Sequence, residues 1–182
     1  MVYYWKRKKI RQTVTKEVEL MRKLKLYLDT SILLSVIEHE SKTREGYVER
    51  LFNRLIEGNY EAYISPIVIE ELRKLSEEKK EMVRSKISEI NAKILTEVPE
   101  VMTLARSYVH DGIERIFKEY NREECLHIAY AVVYSCDALV SWNFKKIVNF
   151  RATSQVRSIN VMHRYKDIQL ITPTMLVEDD EL

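Results

Sequence analysis

Short apolar segments alternate with amphipathic helical segments along most of this chain. The segments that predict buried strands cover residues 24–28, 62–64, 138–140 and 168–171. Between them, apolar residues recur at helical spacing, which is typical of helices with one buried face. Buried strands separated by helices favour a parallel sheet with helices on both faces. We therefore expect a three-layer α/β fold with about four or five strands, built as one domain.

The predicted helices have recognisable ends. Gly58 ends the helix over residues 48–56. Ser65 and Pro66 supply the N-cap and the first-turn proline of a helix that extends to about Leu75. Helical spacing predicts further helices over residues 83–94, 101–109, 113–120, 125–136 and 144–148, and a weak strand is predicted near residues 94–97.

The composition is that of a single globular domain. The chain has 182 residues, of which 46% are hydrophobic, and it contains no apolar run approaching the ~18 residues of a membrane span. No apolar signal-peptide core follows the N-terminus. Cys125 and Cys136 lack metal-ligand spacing and are interpreted as small buried hydrophobic residues. We expect a soluble, cytoplasmic protein that does not enter a membrane.

The charge is distributed unevenly between the ends of the chain. Residues 1–24 contain eight Lys or Arg and two Glu, a net charge of +6, which leaves −4 for the remainder of a chain whose total is +2. With the aromatic residues Tyr3, Tyr4 and Trp5, this arm could follow a nucleic-acid backbone and stack on bases, or it could be a solvated extension. The predicted organisation is a basic N-terminal extension (1–23), one domain (24–176) and an acidic tail (177–182).

Acidic and polar residues follow the predicted strands. Asp29 follows the first strand, Glu71 lies in the helix after the second, and Glu124 begins the helix before the third. Ser141 and Asn143 come directly after that third strand. Because ligands of open α/β sheets bind beyond the carboxyl ends of the strands, we expect these side chains to lie around one cleft.

Clustered carboxylates have a limited choice of chemistry. Two of them about 4 Å apart repel each other by roughly 4 kcal/mol at an effective dielectric near 20, so they take up protons or bind a cation. Oxygen ligands without a Cys or His set favour Mg²⁺ or Mn²⁺. Such an ion can polarise a phosphodiester and activate water for attack. The pattern therefore predicts a metal-dependent nuclease.

Each of these residues also has a structural alternative. Asp29 could cap the following helix, and Glu124 stands at the capping-box position relative to Asn121. Glu71 could belong to a solvated helix face, and Asn143 could cap the short helix that follows it. No single residue is specific, so the prediction depends on their order along the alternating chain.

Four sequence strings together resemble the PIN-domain nucleases, and in particular the toxin components of prokaryotic toxin–antitoxin pairs. The strings are LYLDTSI (26–32), ISPIVIEEL (64–72), EECLHIAYA (123–131) and DALVSWNFKKIVN (137–149). The resemblance spans about residues 24–176. It implies a parallel sheet between helices, an acidic Mg²⁺ or Mn²⁺ site that cleaves RNA, an antitoxin partner and a homodimer.

The resemblance also assigns roles by position. The first acid is Asp29, with Thr30 or Ser31 beside it, the second is Glu71, and the third is Glu124, where the family often has aspartate. These three would hold the metal ion.

The fourth acidic position of the family falls at Asn143, which is not an acid, and Ser141 fills the hydroxyl position two residues before it. Asn143 is still assigned to the catalytic set, because an amide oxygen can ligate a metal although it brings no negative charge. The resemblance therefore predicts a site that holds one ion well and a second ion poorly.

Residues near the site have open assignments. His127 could orient Glu124 or simply pack within its helix, and Trp142 could stack on a base or belong to the core. Lys145, Lys146 and Arg151 could contact substrate phosphates or form a solvated basic turn. The leading hypothesis is a toxin-type, metal-dependent endoribonuclease. The alternative is a catalytically weakened PIN-like module that binds RNA or has a regulatory role.

Overall fold

The computed structural model describes residues 22–37, 42–110 and 122–177. Its five strands are β1 (Leu24–Leu28), β2 (Tyr60–Ile64), β3 (Lys93–Ile94), β4 (Ala138–Val140) and β5 (Gln169–Ile171). The eight helices of the described residues are α1 (Thr30–Leu34), α2 (Lys42–Ile56), α3 (Pro66–Leu72), α4 (Glu77–Glu89), α5 (Pro99–His110), α6 (Arg122–Val133), α7 (Phe150–Met162) and α8 (Thr174–Val177). The predicted helix over residues 113–120, the basic arm before Arg22 and the acidic residues after Val177 lie outside the described residues.

All strand pairs in the sheet are parallel, in the order β3-β2-β1-β4-β5. The central strand β1 places Leu26 opposite Ala62 of β2 on one side and opposite Ala138 of β4 on the other. Leu26, Tyr27 and Leu28 are fully buried, as expected for a strand covered on both faces. The predicted parallel α/β sheet with four or five strands is confirmed.

The helices form two layers because the chain changes direction once within the sheet. From β1 the chain moves to β2 and β3, and it then crosses to β4 and β5 on the other side of β1. Right-handed crossovers place α1 to α4 on one face and α5 to α7 on the other. Most contacts agree, since α1 touches α3 and α4, while α5 touches α6 and α7; α3 and α6, from different layers, also touch each other.

Several predicted boundaries differ from the structure. The helix from Pro66 ends at Leu72 rather than at about Leu75, and Ile94 belongs to β3 rather than to the preceding helix. Residues 144–148, predicted as a short helix, form turns instead. Helix α7 has no counterpart in the sequence-based prediction, because exposed apolar residues such as Phe150 and Val161 blur its buried stripe.

Cys125 and Cys136 are free and buried, and burial raises the pKa of each thiol to about 12, which confirms their interpretation as small core residues. Cys136 lies beyond the end of α6 rather than on it. No helix within the described ranges is long and apolar enough to cross a membrane.

Candidate active site

The candidate site lies where the sheet topology switches direction. Strands β1 and β4 are neighbours, but the connections that leave them run to opposite sides of the sheet. In open α/β sheets, the usual ligand site is the crevice beyond the carboxyl ends of the strands at such a switch point. Asp29 directly follows β1 and Ser141 directly follows β4. The Asp29 amide donates to the carbonyl of Val140 at 3.2 Å, so the strands stay paired up to the crevice.

Asp29 is held from both sides by serine hydroxyls. Its Oδ1 accepts hydrogen bonds from the amide (2.9 Å) and the Oγ (2.5 Å) of Ser31, and its Oδ2 accepts one from Ser141 Oγ at 2.5 Å. Asp29 is also the N-cap of α1, which confirms the capping alternative and is compatible with a role in the site. Burial raises the pKa of Asp29, although nearby His127 and the two serines oppose that rise.

Glu71 is anchored through one oxygen. Its Oε2 accepts hydrogen bonds from Thr30 Oγ1 and from His127 Nε2, the latter at 3.2 Å. Burial alone would raise the pKa of this half-buried carboxyl, but the bonds from His127 and Thr30 outweigh it and lower the pKa. The neighbouring Glu70 takes the solvated position instead, with its side chain 65% exposed and paired with Arg73. The solvated-face alternative for Glu71 is therefore wrong.

His127 links Glu71 to a buried tyrosine. Its Nδ1 lies 2.8 Å from Tyr27 Oη, which in turn lies 2.6 Å from Ser65 Oγ. One neutral arrangement satisfies every partner: Ser65 donates to Tyr27, Tyr27 donates to His127 Nδ1, and His127 Nε2–H donates to the Glu71 carboxylate. Burial raises the pKa of Tyr27 well above its usual value, which keeps the phenol protonated for this role.

These contacts revise two predictions. The hydrogen bonds of His127 go to Glu71 and Tyr27 rather than to Glu124, so the histidine joins two elements of the site. Ser65 occupies the N-cap position of α3 as expected, but its side chain makes no capping bond because it bonds to Tyr27 instead.

Glu124 has a different kind of partner. It lies in the first turn of α6 and is 9% exposed. Its Oε1 accepts a 2.9 Å hydrogen bond from the ammonium group of Lys146, while its buried Oε2 has no hydrogen-bond partner among the described residues. Asn121, on which the capping-box alternative depends, lies outside the described residues.

Asn143 shapes the loop after β4. Its Oδ1 accepts from the amide of Lys146 at 3.0 Å, and its carbonyl accepts from the amides of Ile147 and Val148. Asn143 therefore caps a turn, as the structural alternative proposed, although no helix follows directly. The backbone amide of Asn143 donates to Ser141 Oγ at 2.9 Å, and Ser141 in turn bonds to Asp29, so this turn is linked to Asp29.

The remaining predicted residues lie around this loop. Lys145 and Arg151 are exposed, in agreement with either of their alternatives, whereas Lys146 points at Glu124. Trp142 packs against the core, donates its backbone amide to Ser31 Oγ at 2.9 Å, and carries the guanidinium group of Arg44 5.4 Å from its ring centre.

The donor atoms fit a hard divalent cation by their chemistry. Asp29, Glu71 and Glu124 offer only carboxylate oxygens, and within the described ranges the buried Oε2 of Glu124 makes no hydrogen bond. The spacing of the side chains is wider than a metal site needs. Within residues 22–37, 42–110 and 122–177, no three His, Cys, Asp or Glu side chains lie close enough together to hold a metal ion. Each of the three carboxylates already has partners within the protein. Serines bond to Asp29, Thr30 and His127 bond to Glu71, and Lys146 bonds to Glu124.

Tyr27 was missed by the sequence analysis, and the contact of Lys146 with Glu124 was not foreseen. A signal for Tyr27 existed, because residues 27 and 29 point to the same side of a strand and a buried tyrosine needs a partner for its hydroxyl. No comparable signal existed for the Lys146 contact, because that contact joins elements 22 positions apart.

Comparison with known proteins gives the same fold. Structures of VapBC2 from Rickettsia felis bound to a promoter DNA fragment and of DNA-bound VapBC from Salmonella typhimurium are similar, with 17% and 15% identity and TM-scores of 0.53 and 0.56. Each comparison covers 82% of this chain and 98% of the other. VapBC-1 from nontypeable Haemophilus influenzae is also similar, with 13% identity, a TM-score of 0.54, and coverage of 83% and 99%.

A search of curated protein sequences returns no match. The family model of the PIN domain matches residues 25–145, a segment that contains Asp29, Glu71, Glu124 and Asn143. This match supports a PIN-type nuclease. The chain therefore belongs to the PIN-domain family.

Proposed function

We propose that this protein is a toxin-type endoribonuclease that depends on Mg²⁺ or Mn²⁺. The observation that carries the proposal is Asp29, a buried carboxylate at the switch point of a parallel sheet whose hydrogen-bond partners are neutral hydroxyl and amide groups. Neutral donors orient a carboxylate without cancelling its charge. Membership of the PIN-domain family supports the nuclease chemistry.

In this proposal Asp29, Glu71 and Glu124 would hold the ion, and the ion would have to draw them closer together than they lie in the described residues. The ion would supply Lewis-acid activation of the phosphodiester and of the attacking water. The hydrogen bonds from Thr30 and His127 both go to Oε2 of Glu71, so neither of them engages Oε1. Within the described residues, Oε2 of Glu124 has no hydrogen-bond partner.

The polar residues around the acids have a positioning role. Ser31 and Ser141 orient Asp29, and His127 with Thr30 orients Glu71, so each of these two carboxylates has a defined direction. Asn143 contributes through the turn that it caps, since its amide oxygen is bonded to the Lys146 backbone. Exposed Lys145 and Arg151 lie on the loop and helix that follow the site and would contact RNA phosphates.

The partners follow from the same proposal. The similar structures are VapBC complexes, which supports an antitoxin that covers the cleft of this protein. A homodimer is part of the proposal through family resemblance.

The experiment is a cleavage assay on a panel of single-stranded and structured RNAs with EDTA, Mg²⁺ or Mn²⁺. The adjacent acids provide a matched pair, because Glu71 is anchored in the site whereas Glu70 is on the surface. We expect Asp29→Asn and Glu71→Gln to lower metal-dependent cleavage by about 100-fold or more, equivalent to roughly 2.7 kcal/mol. Glu70→Gln should cleave like the parent protein. Cleavage that survives both site substitutions would refute the assignment.

A second candidate function is a PIN-like module that retains RNA without cutting it. Two observations favour it: Asn143 brings no charge to the fourth acidic position, and Lys146 neutralises Glu124. RNA that binds in a filter-retention assay but stays intact under Mn²⁺ would support this function over the nuclease.

A further inference from the structure

Lys146 places an ammonium group within hydrogen-bond distance of Glu124, whose Oε2 has no hydrogen-bond partner in the part of the chain that the structure describes. We propose that Lys146 is an internal counter-ion that competes with a divalent cation for Glu124 and thereby controls the metal occupancy of the site. This inference rests on the proposed function for the identity of the ion. It assigns to one residue a regulatory effect that the nuclease proposal does not require.

The position of Lys146 is determined by the fold rather than by a flexible surface contact. The turn that Asn143 caps directs its backbone, since the Lys146 amide donates to Asn143 Oδ1 at 3.0 Å. Its side chain is 24% exposed and the Glu124 side chain is 12% exposed, so solvent screens the pair only weakly. A lysine on a solvated basic turn would instead extend into water, as exposed Lys145 does.

The charge balance explains why this contact affects metal binding. A buried carboxylate that keeps its full charge attracts a cation strongly, whereas one already paired with an ammonium group offers little net charge. An ion that binds Glu124 must either displace Lys146 or accept its repulsion. Asn143 strengthens this effect, because it occupies the position where the family pattern has a fourth acid.

Glu124 retains a buried oxygen that a further ligand could satisfy. Its Oε2 is buried and has no hydrogen-bond partner among the described residues, although buried carboxylate oxygens are nearly always bonded. Lys146 therefore neutralises Glu124 without completing its coordination. The pair leaves room for exchange between the ammonium group and a metal ion.

The test is Mn²⁺ binding to the full chain, measured by electron paramagnetic resonance of the free ion. We expect Lys146→Met to bind Mn²⁺ about tenfold more tightly than the parent protein, because the substitution leaves a buried carboxylate without its counter-ion. Lys145→Met is the matched control, since it removes the same charge one residue away from a side chain that is exposed; its Kd should stay within about twofold of the parent.

A double-mutant cycle shows whether the effect acts through Glu124. In a Glu124→Gln background, Lys146→Met should leave the Mn²⁺ affinity unchanged, because no carboxylate remains to be released. Lys146→Gln serves as a second variant if Lys146→Met unfolds, as judged by thermal melting. An unchanged Kd in both Lys146 variants, or the same gain with and without Glu124, would overturn the proposal.

Cleavage assays on the same variants separate this inference from the proposed function. Tighter Mn²⁺ binding in Lys146→Met without RNA cleavage by any variant would support the counter-ion and refute the nuclease. Metal-dependent cleavage by the parent with no change in affinity on substitution of Lys146 would do the reverse.

Discussion

Two aspartates at opposite ends of the same sheet have opposite environments. Asp29 follows β1 at the carboxyl end, is buried, and is bonded by Ser31 and Ser141. Asp137 precedes β4 at the amino end and accepts hydrogen bonds from the guanidinium group of Arg22 (2.6 Å), the amide of Lys25 (2.9 Å) and the ammonium group of Lys166 (2.8 Å).

Their pKa values shift in opposite directions. Burial raises the pKa of Asp29. At Asp137 burial also acts upward, but the bonds from Lys166, Lys25 and Arg22 outweigh it and lower the pKa to about 2. The comparison distinguishes a carboxylate held by neutral groups, which keeps its attraction for an external cation, from one whose charge is already neutralised by the protein.

The largest expected effect of this difference is on metal binding. Asp29→Asn should weaken Mn²⁺ binding by about tenfold or more, because it removes a charged ligand from the proposed site. Asp137→Asn should leave the Mn²⁺ Kd within about twofold, because the residue lies at the other end of the strands. Calorimetric titration of the two variants side by side checks this prediction, and equal losses would contradict it.

The expected effects on stability are smaller, and here Asp137 rather than Asp29 is the residue whose substitution matters. Asp137→Asn should lower the free energy of unfolding by about 1 to 2 kcal/mol, since it breaks charge-assisted bonds that join β1, β4 and the segment before β5. Asp29→Asn should not destabilise the metal-free protein, because it removes a charge whose burial is unfavourable. Urea denaturation in EDTA measures both values. A destabilised Asp29→Asn variant would show that this aspartate supports the fold.

The smallest expected effect concerns pH. The folded-state pKa of Asp137 is lowered from 3.8 to about 2, so its contribution to stability is present above the unfolded value and is lost as the pH falls through the folded value. Asp29 behaves oppositely, because a raised folded-state pKa means that protonation favours the folded protein. The stability difference between the parent and Asp137→Asn should therefore shrink as the pH falls below about 4. If the stability difference persists at lower pH, the lowered pKa of Asp137 is not its cause.

The sequence predicted β1, β2, β4 and β5 well because each contains a short run of apolar residues, whereas the weak strand predicted near residues 94–97 is the exposed β3 at Lys93–Ile94. The predicted bounds of β1 and β4 agree with the structure, and those of β2 and β5 differ by two residues or fewer. Helix α7 was not predicted, because its inward positions Ala152, Val156 and Ile159 form only a narrow stripe beside exposed apolar residues.

The sequence by itself therefore determined the α/β class, the parallel sheet and the strand ends to which the acids belong, because hydrophobic periodicity and strand order are local and topological properties. Tertiary structure alone decided the partner of each acid. His127 bonds to Glu71, 56 positions away, and Lys146 bonds to Glu124 across a strand and a turn. Such contacts depend on side-chain direction after packing, and it is these contacts that set the charge each carboxylate can offer to a ligand.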